Sequence, residues 1–315
     1  MKMSDITLLL RGMKYLISGR KKQARDCFHM WQWREKMCHF GPENQDKIFY
    51  VIRWDSNKNA LMGLLNFVLS KIDYAEKRGW IPIVDFKNGR NYYFENEQDV
   101  GKYNAWENFF EQVSCYSLEE VYQSKFVVLG SISNEITTPI SDLKFFDLQN
   151  QYDYWKRLCD KYIRPSAAVK KILSQMNREY GKTNGALAVK LRGTDYNPPP
   201  PGHYYQPSVE EAHAAIEEMK KKWRVDKVFL STEDTSIQKR LLNEFGEDLI
   251  CLPEEKEKDI HKKSVIKEGQ LYLAELLFLA QCPYVVGGIN GGLLGIALFG
   301  KEIKDLKTWH MGKAR

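Results

Sequence analysis

The chain has 315 residues, of which 43% are hydrophobic and 28% are charged. These proportions are typical of a globular protein and exclude extended disorder or a fibrous repeat, and the length predicts two domains of roughly 150 residues each. The net charge is +6, but residues 1–26 alone hold seven Lys or Arg and two Asp. The basic character therefore belongs to an N-terminal arm, and the rest of the chain is almost neutral.

This basic arm also carries apolar residues at helical spacing. A basic amphipathic helix can lie on an anionic membrane surface, and it can equally pack on its own domain with its charges in solvent. Both interpretations remain open. The apolar positions are Ile6, Leu9, Leu10, Met13, Leu16 and Ile17.

The six cysteines contain no CxxC pair, and free thiols favour a reducing compartment. Since the N-terminal segment also has no small-residue cleavage site, we expect a cytoplasmic protein, with the inner face of the membrane as an alternative location. Four residues that could bind zinc crowd together at no recognised spacing, and ordinary packing is the simpler expectation, with no metal. They are Cys27, His29, Cys38 and His39.

In chain order, hydrophobic runs and turn residues predict a βαβ unit and then a second alternating α/β region. The predicted strands are 47–53, 80–86, 125–132, 186–192, 227–231, 248–252 and 284–286. A first helix, between the first two strands, is predicted to end near residue 78. Further helices are predicted over 150–162, 166–180, 208–223, 235–245 and 271–281, and a last one begins near residue 290. Residues 271–300 hold a single charge, but Pro283 and paired glycines interrupt any spanning helix.

This alternation predicts an α/β fold with two Rossmann-like, doubly wound domains that bind a ligand in the cleft between them. We expect a basic arm over residues 1–28, an N-terminal domain over 29–160 and a C-terminal domain over 161–315.

The segment KLRGTDY places Arg192, Thr194 and Asp195 at the end of a predicted strand. A guanidinium group there can hold a phosphate through two hydrogen bonds, or it can pair internally with Asp195. The proline-rich loop that follows carries His203, whose imidazole could accept a proton near neutral pH or could make only a loop hydrogen bond.

Polar residues follow the next predicted strand as well. Ser231, Thr232 and Asp234 could reach a nucleotide, or they could simply cap a helix. Glu275, the single charge of 271–300, needs a buried partner. Either a guanine base, with two adjacent N–H donors, or an internal salt bridge would supply one.

The segment GGINGG, residues 287–292, lies between a predicted strand and a predicted helix. Bare N–H groups at a helix N-terminus bind phosphate, but the spacing matches neither a dinucleotide fingerprint nor a P-loop. No D-x-D motif occurs in the chain. We therefore expect a metal-free reaction in which Arg side chains and helix dipoles stabilise a leaving diphosphate.

Three of these segments, in this order and with similar spacing, resemble motifs of the fucosyltransferase superfamily that includes α1,6-, α1,2- and protein O-fucosyltransferases. KLRGTD resembles its H-x-R-R-T-D signature, FLSTEDTS its F-x-A-T-D-D-x-S segment, and ELLFLAQCPYVVGGINGG its D-x-x-F-L-x-x-A-D-x-x-V-x-x-x-S-S segment. The opening βαβ and NAWENFFEQ are also similar to members of this superfamily. The resemblance implies a GT-B fold with a nucleotide sugar on the C-terminal domain.

Carried over by position, the resemblance implies that Arg192 binds the β-phosphate of GDP-fucose and that Glu275 contacts guanine. Asn290 and Gly291 stand where paired Ser residues face the diphosphate, and Asp195 stands at the acidic position beside the reacting centre.

The chain also departs from the family pattern. Lys190 replaces the His expected near guanine, Gly193 replaces a second Arg, and Pro200 stands where some members have a Glu base. Asp195 and His203 remain as alternatives for the base.

Together with these residues, the family resemblance implies an inverting, metal-independent glycosyltransferase of polysaccharide biosynthesis. It would move fucose or a related deoxyhexose from a GDP-sugar to a hydroxyl of a surface glycan. The expected partners are the nucleotide-sugar donor and the glycan acceptor, with no nucleic acid and no resident cofactor. The alternative is a non-catalytic protein that binds a nucleotide sugar or a glycan through a degraded transferase site.

Overall fold

The computed structural model describes residues 3–133, 146, 149–181, 183–193, 198–252 and 264–314. The chain divides into two compact units. Unit 1 comprises Met1–Ile140 with Tyr162–Arg164, and unit 2 comprises Ser141–Lys161 with Pro165–Arg315.

Unit 1 contains a four-stranded sheet in the order β1-β4-β2-β3. Its strands are β1 (Lys36–Cys38), β2 (Phe49–Arg53), β3 (Ile81–Asp85) and β4 (Val127–Leu129). Its helices are α1 (Met3–Ile17), α2 (Lys21–Gln32), α3 (Leu61–Glu76) and α4 (Leu118–Val121). The strands β4, β2 and β3 are parallel, and β2, α3 and β3 form the predicted βαβ unit. The chain crosses to one side of β2 to form β3 and to the other side to form β4, so the strand order reverses between β2 and β4.

The sheet of unit 1 is mixed, whereas the sequence predicts a parallel one. The edge strand β1 runs antiparallel to β4. It covers three residues, and its first two are exposed, so the segment carries none of the apolar alternation from which a strand is predicted.

The N-terminal arm forms a helical hairpin. Gly19, at φ +74, lies in the turn that separates α1 from α2. A Cβ atom on Gly12 would lie 2.9 Å from the Phe28 ring, so the missing side chain lets α1 pack closely on α2.

Unit 2 contains a five-stranded, fully parallel sheet in the order β7-β6-β5-β8-β9. Its strands are β5 (Leu187–Lys190), β6 (Val228–Ser231), β7 (Leu249–Cys251), β8 (Tyr284–Gly287) and β9 (Asp305–Lys307). Its helices are α5 (Gln149–Tyr162), α6 (Ala167–Tyr180), α7 (Val209–Trp223), α8 (Thr235–Phe245), α9 (Val265–Leu279) and α10 (Gly291–Phe299). The order reverses between β5 and β8, which is the doubly wound topology.

The predicted α/β fold class is confirmed, and each of the seven predicted strands overlaps an observed one. The strand β9 was not predicted, because its three residues are only partly buried. The helix α9 begins at Val265, six residues before the predicted start, and the Ser264 side chain caps it. Within the described residues, no helix is both long and apolar enough to cross a membrane.

Arg53, at the end of β2, ties α2 to the sheet of unit 1. Its buried guanidinium donates to the carbonyl oxygens of Trp33 and Arg34, which follow α2, at 3.3 and 3.0 Å. It also donates to the carbonyl oxygen of Gly130, after β4, at 2.9 Å. One side chain therefore donates to three carbonyl groups, of which two follow α2 and one follows β4.

We expect Arg53→Met to lower the free energy of unfolding by roughly 2–4 kcal/mol, because several carbonyl groups lose their donor. Arg178→Met, on the exposed face of α6, should change it by less than about 0.5 kcal/mol. Denaturant titration of both variants measures the difference. A loss below about 1 kcal/mol in the Arg53 variant would show that the carbonyl groups do not depend on it.

Candidate functional site

Three predicted site residues meet at the carboxyl end of β5 in unit 2. The Lys190 ammonium group, on a side chain that is buried, donates to the Ser231 hydroxyl group at 2.9 Å. This hydroxyl donates to the Glu275 carboxylate at 3.1 Å. Since β5, β6 and α9 each supply one member, the buried chain of polar groups fixes these elements against one another.

Lys190 also lies against the first turn of α10. A Cβ atom on Gly292 would stand 2.9 Å from Cε of Lys190 and 3.1 Å from the Tyr272 hydroxyl group. The ammonium nitrogen lies 5.6 Å from the centre of the Tyr272 ring, within reach of a cation–π contact. The glycine therefore allows a cation to approach the helix N-terminus.

Asn290 caps α10, as its position before a helix predicts. Its side-chain oxygen accepts from the backbone N–H of Leu293 at 3.1 Å. Its amide donates to the carbonyl oxygen of Gly288 at 2.8 Å and to the Gln206 side chain at 3.2 Å. The N–H groups of Gly291 and Gly292 precede the hydrogen-bond ladder of the helix and lie at its positive end.

His203 lies on an exposed loop that is held by the C-terminal segment. Ala314 donates its N–H to the His203 carbonyl oxygen at 2.9 Å, and Gly202 donates to the Ala314 carbonyl oxygen at 2.9 Å. The imidazole is exposed. Its role as a base stays a prediction.

Arg192 follows β5 and is paired with a carboxylate. Its Nε atom lies 3.5 Å from Oε1 of Glu233. The same oxygen accepts from the backbone N–H of Gly193 at 2.8 Å. The partner considered from the sequence, Asp195, lies outside the described residues, as does Thr194. The side chain of Arg192 is 28% exposed, so one part of it remains accessible beside the ion pair.

Asp234 and Thr232 act locally. Asp234 caps α8 by accepting from the N–H of Ser236 at 2.8 Å and of Ile237 at 3.3 Å. A hydrogen bond from the Ser236 hydroxyl group lowers the pKa of Asp234 below its usual value. The Thr232 hydroxyl oxygen accepts from the N–H of Asp234. The capping interpretation thus accounts for Asp234, and contact with a nucleotide stays a prediction for both residues.

Sequence reasoning did not include Glu233, Tyr272 and Gln206 in this site. Tyr272 precedes Glu275 by three positions on α9, and this spacing places them on one helix face. Glu233 stands within the polar segment that was identified. Gln206 meets Asn290 across 84 positions, and no local pattern predicts such a contact.

The Cys and His cluster near residue 30 does not converge on one point. The His29 ring contacts Asp55, and the His39 ring contacts the backbone carbonyl group of Lys125. Across the described part of the chain, no group of three or more His, Cys, Asp or Glu residues is placed to hold a metal ion.

A cavity of about 310 Å³ lies elsewhere in unit 2, beside α7 and the edge strand β9. Its charged lining is internally paired, since Lys222 contacts Asp305 at 2.6 Å and Lys307 contacts Glu218. None of the predicted site residues lines it.

No protein-family model matches the chain, and no curated protein matches it at a significant level. Solved structures do match. The chain is similar to NodZ α-1,6-fucosyltransferase soaked with GDP-fucose, with 15% identity and a TM-score of 0.48 over 80% of this chain and 92% of that one. Fucosyltransferase NodZ from Bradyrhizobium matches with 16% identity and a TM-score of 0.45 over 76% of this chain and 88% of that one.

A variant of Arabidopsis thaliana FUT1 in complex with GDP matches with 12% identity and a TM-score of 0.45 over 98% of this chain and 78% of that one. The fold assignment itself rests on the strand order and register described above.

The buried hydrogen bonds that link Lys190, Ser231 and Glu275 predict that substitutions of Lys190 and of Glu275 have coupled effects on stability. We expect Lys190→Met and Glu275→Leu each to lower the free energy of unfolding by about 3 kcal/mol, because each leaves the opposite charge buried with fewer partners. The double variant should lose at least about 1 kcal/mol less than the two losses combined. Denaturant titration of the wild type, the two single variants and the double variant completes the double-mutant cycle. Additive losses would contradict the coupling.

Proposed function

We propose that this protein is a metal-independent, inverting glycosyltransferase of GT-B architecture that uses a GDP-sugar. The observation that carries the proposal is the position of Lys190 and the α10 N-terminus. They lie at the carboxyl ends of β5 and β8, where the strand order of unit 2 reverses. In open parallel sheets, this is the place where nucleotides bind.

The charges at this edge suit a diphosphate. The N–H groups of Gly291 and Gly292 lie in the first turn of α10, at the positive end of the helix dipole, where an anion is stabilised. The guanidinium of Arg192 follows the same strand as Lys190. A diphosphate leaving group would gain negative charge as its bond to the sugar breaks, and these donors would stabilise it without a metal ion.

The choice of guanine rests on the resemblance of the sequence motifs and on Glu275. Its carboxylate can accept the two adjacent N–H donors of guanine. It already accepts from the hydroxyl group of Ser231, so a base would share the carboxylate with that group. Fucose or a related deoxyhexose is the donor sugar that the motifs imply, and the acceptor would be a hydroxyl of a surface glycan.

The reaction would be a single displacement. The acceptor oxygen forms a bond to the anomeric carbon while the bond from that carbon to the diphosphate breaks. The electron pair leaves with the GDP, and a base takes the hydroxyl proton. Asp195 and His203 are the bases that the sequence suggests in unit 2.

A second candidate function is non-catalytic binding of a nucleotide sugar. The ion pair between Arg192 and Glu233 favours it, because a guanidinium that is already neutralised binds phosphate less strongly. The presence of Lys190 in place of the family His favours it too. Release of GDP from GDP-fucose separates the two functions, since a binding protein releases none.

We expect Arg192→Ala to reduce the release of GDP from GDP-fucose by about 100-fold, with a nearly unchanged melting temperature. Arg240→Ala is a matched control, because Arg240 also pairs with a Glu in unit 2, at 2.6 Å, and lies outside the site. A thermal-shift panel of GDP, UDP and ADP tests the nucleotide. Full activity of the Arg192 variant would show that the site is misplaced.

We also propose that the protein acts on the cytoplasmic face of a membrane and is held there by α1. The apolar face of this helix is open to solvent, with exposed fractions from 41% to 87%. The helix also carries exposed Arg11 and Lys14, and exposed Arg20, Lys21 and Lys22 follow it. These charges favour an anionic lipid surface over a second copy of the same basic helix. The exposed apolar residues are Ile6, Leu10, Met13, Leu16 and Ile17.

We expect the protein to sediment with vesicles of phosphatidylcholine and phosphatidylglycerol, and less with phosphatidylcholine alone. Serine at Leu10, Met13 and Ile17 should weaken this binding about tenfold or more, because the apolar area buried in the lipid is lost. Serine at Met37, Leu242 and Met311, which are exposed elsewhere, is the control. Self-association of the wild type without vesicle binding would indicate a second copy as the partner.

A further inference from the structure

Gln206 joins two loops of unit 2 beside the candidate diphosphate site. It lies in the segment before α7, and its side-chain nitrogen donates to the backbone carbonyl oxygens of Tyr204 and Ile289, each at 3.2 Å. Since carbonyl groups only accept, these two bonds fix the orientation of the Gln206 amide. Its oxygen accepts from the Asn290 amide at 3.2 Å. Gln206 therefore holds the turn that leads from β8 into α10 against a segment 84 positions away.

Gly288 allows Gln206 to lie directly on this turn. A Cβ atom at position 288 would overlap the side-chain oxygen of Gln206 and would stand 3.0 Å from Cδ of Pro207. Gly288 has no positive φ angle. The close contact with Gln206, rather than a left-handed backbone, therefore accounts for the glycine.

The same contact fixes the direction of the Asn290 amide. Its nitrogen donates to the Gln206 oxygen and, at 2.8 Å, to the carbonyl oxygen of Gly288. Its oxygen is thereby directed at the N–H of Leu293, from which it accepts at 3.1 Å. A reversed amide would turn its oxygen toward two acceptors and its nitrogen toward a donor, and all three bonds would be lost. Gln206 thus acts on the first turn of α10 through the residue that caps it.

The segment that carries Gln206 is itself anchored within unit 2. The N–H of Tyr205 donates to the carbonyl oxygen of Gly312 at 3.1 Å, and the N–H of Ala314 donates to the carbonyl oxygen of His203 at 2.9 Å. Together these bonds form a short antiparallel bridge. Donors that are in place before a ligand arrives stabilise its charge with no cost of reorganisation.

We propose that Gln206 is a positioning residue for the diphosphate of the donor. Through Asn290 it holds the first turn of α10 in the orientation that presents the N–H groups of Gly291 and Gly292 to the ligand. The inference rests on the proposed GDP-sugar function and involves residues of unit 2 alone. Gln206 acts without touching the ligand.

Gln206→Met removes the three hydrogen bonds and keeps a side chain of similar length. We expect the affinity for GDP to fall about fivefold, because the first-turn N–H groups are no longer held toward the diphosphate. The affinity for guanosine should be unchanged, because guanosine has no phosphate. Isothermal titration calorimetry measures GDP binding, and ligand-observed NMR measures guanosine binding.

Gln281→Met is the matched control. Gln281 also lies in unit 2, and its side-chain nitrogen donates to the carbonyl oxygen of Leu277 at 3.4 Å. It precedes β8 and so lies at the amino end of that strand, whereas α10 follows the carboxyl end. We expect this variant to bind GDP and guanosine as the wild type does.

Asn290→Ser separates the positioning role from a general structural one. A Ser hydroxyl group also caps a helix, but it does not depend on Gln206 for its direction as an amide does. We expect Gln206→Met to lower the affinity for GDP less in the Asn290→Ser background than in the wild type. An equal loss in both backgrounds would show that Gln206 does not act through Asn290.

A failure of this inference can be distinguished from a failure of the proposed function. If the wild type binds GDP and the Gln206 variant binds it equally well, the inference fails and the function stands. If the variant loses affinity for GDP and for guanosine by the same factor, Gln206 supports the fold as a whole and the inference also fails. If the wild type does not bind GDP, the proposed function fails and the inference fails with it.

Discussion

The contact between Lys190 and the first turn of α10 is the constraint on which the candidate site depends. A buried ammonium group needs hydrogen-bond partners, and Ser231 together with Glu275 supplies them. The absent side chain at Gly292 lets this cation lie beside the helix N-terminus. Two positive elements from different parts of the chain therefore converge at one edge of the sheet, where an anionic ligand gains from both.

The same topological rule holds in each unit. In unit 2 the strand order reverses beside Lys190, and in unit 1 it reverses beside Asp55. The first edge presents cations and helix N–H groups, which suit a diphosphate, whereas the second presents a carboxylate and an imidazole, which suit proton transfer.

Most of the fold could be predicted from the sequence, because buried parallel strands are continuous apolar runs and helix caps such as Ser166 and Asn290 are local signals. Edge strands of three residues, β1 and β9, carry no such run. Within the site, Lys190 and Glu275 could be identified as unusual buried charges, but their link through Ser231 could not. Contacts such as that of His29 with Asp55 join residues that no sequence period relates, and only the tertiary fold brings them together.

A crystal structure of the protein with GDP tests the central claim most directly. The account predicts that diphosphate oxygens lie within about 3 Å of the N–H groups of Gly291 or Gly292. The Lys190 side chain should lie beside these oxygens, and the guanine ring should face Glu275. GDP bound instead in the cavity lined by Lys222 and Lys307, or ordered nowhere on unit 2, would contradict it.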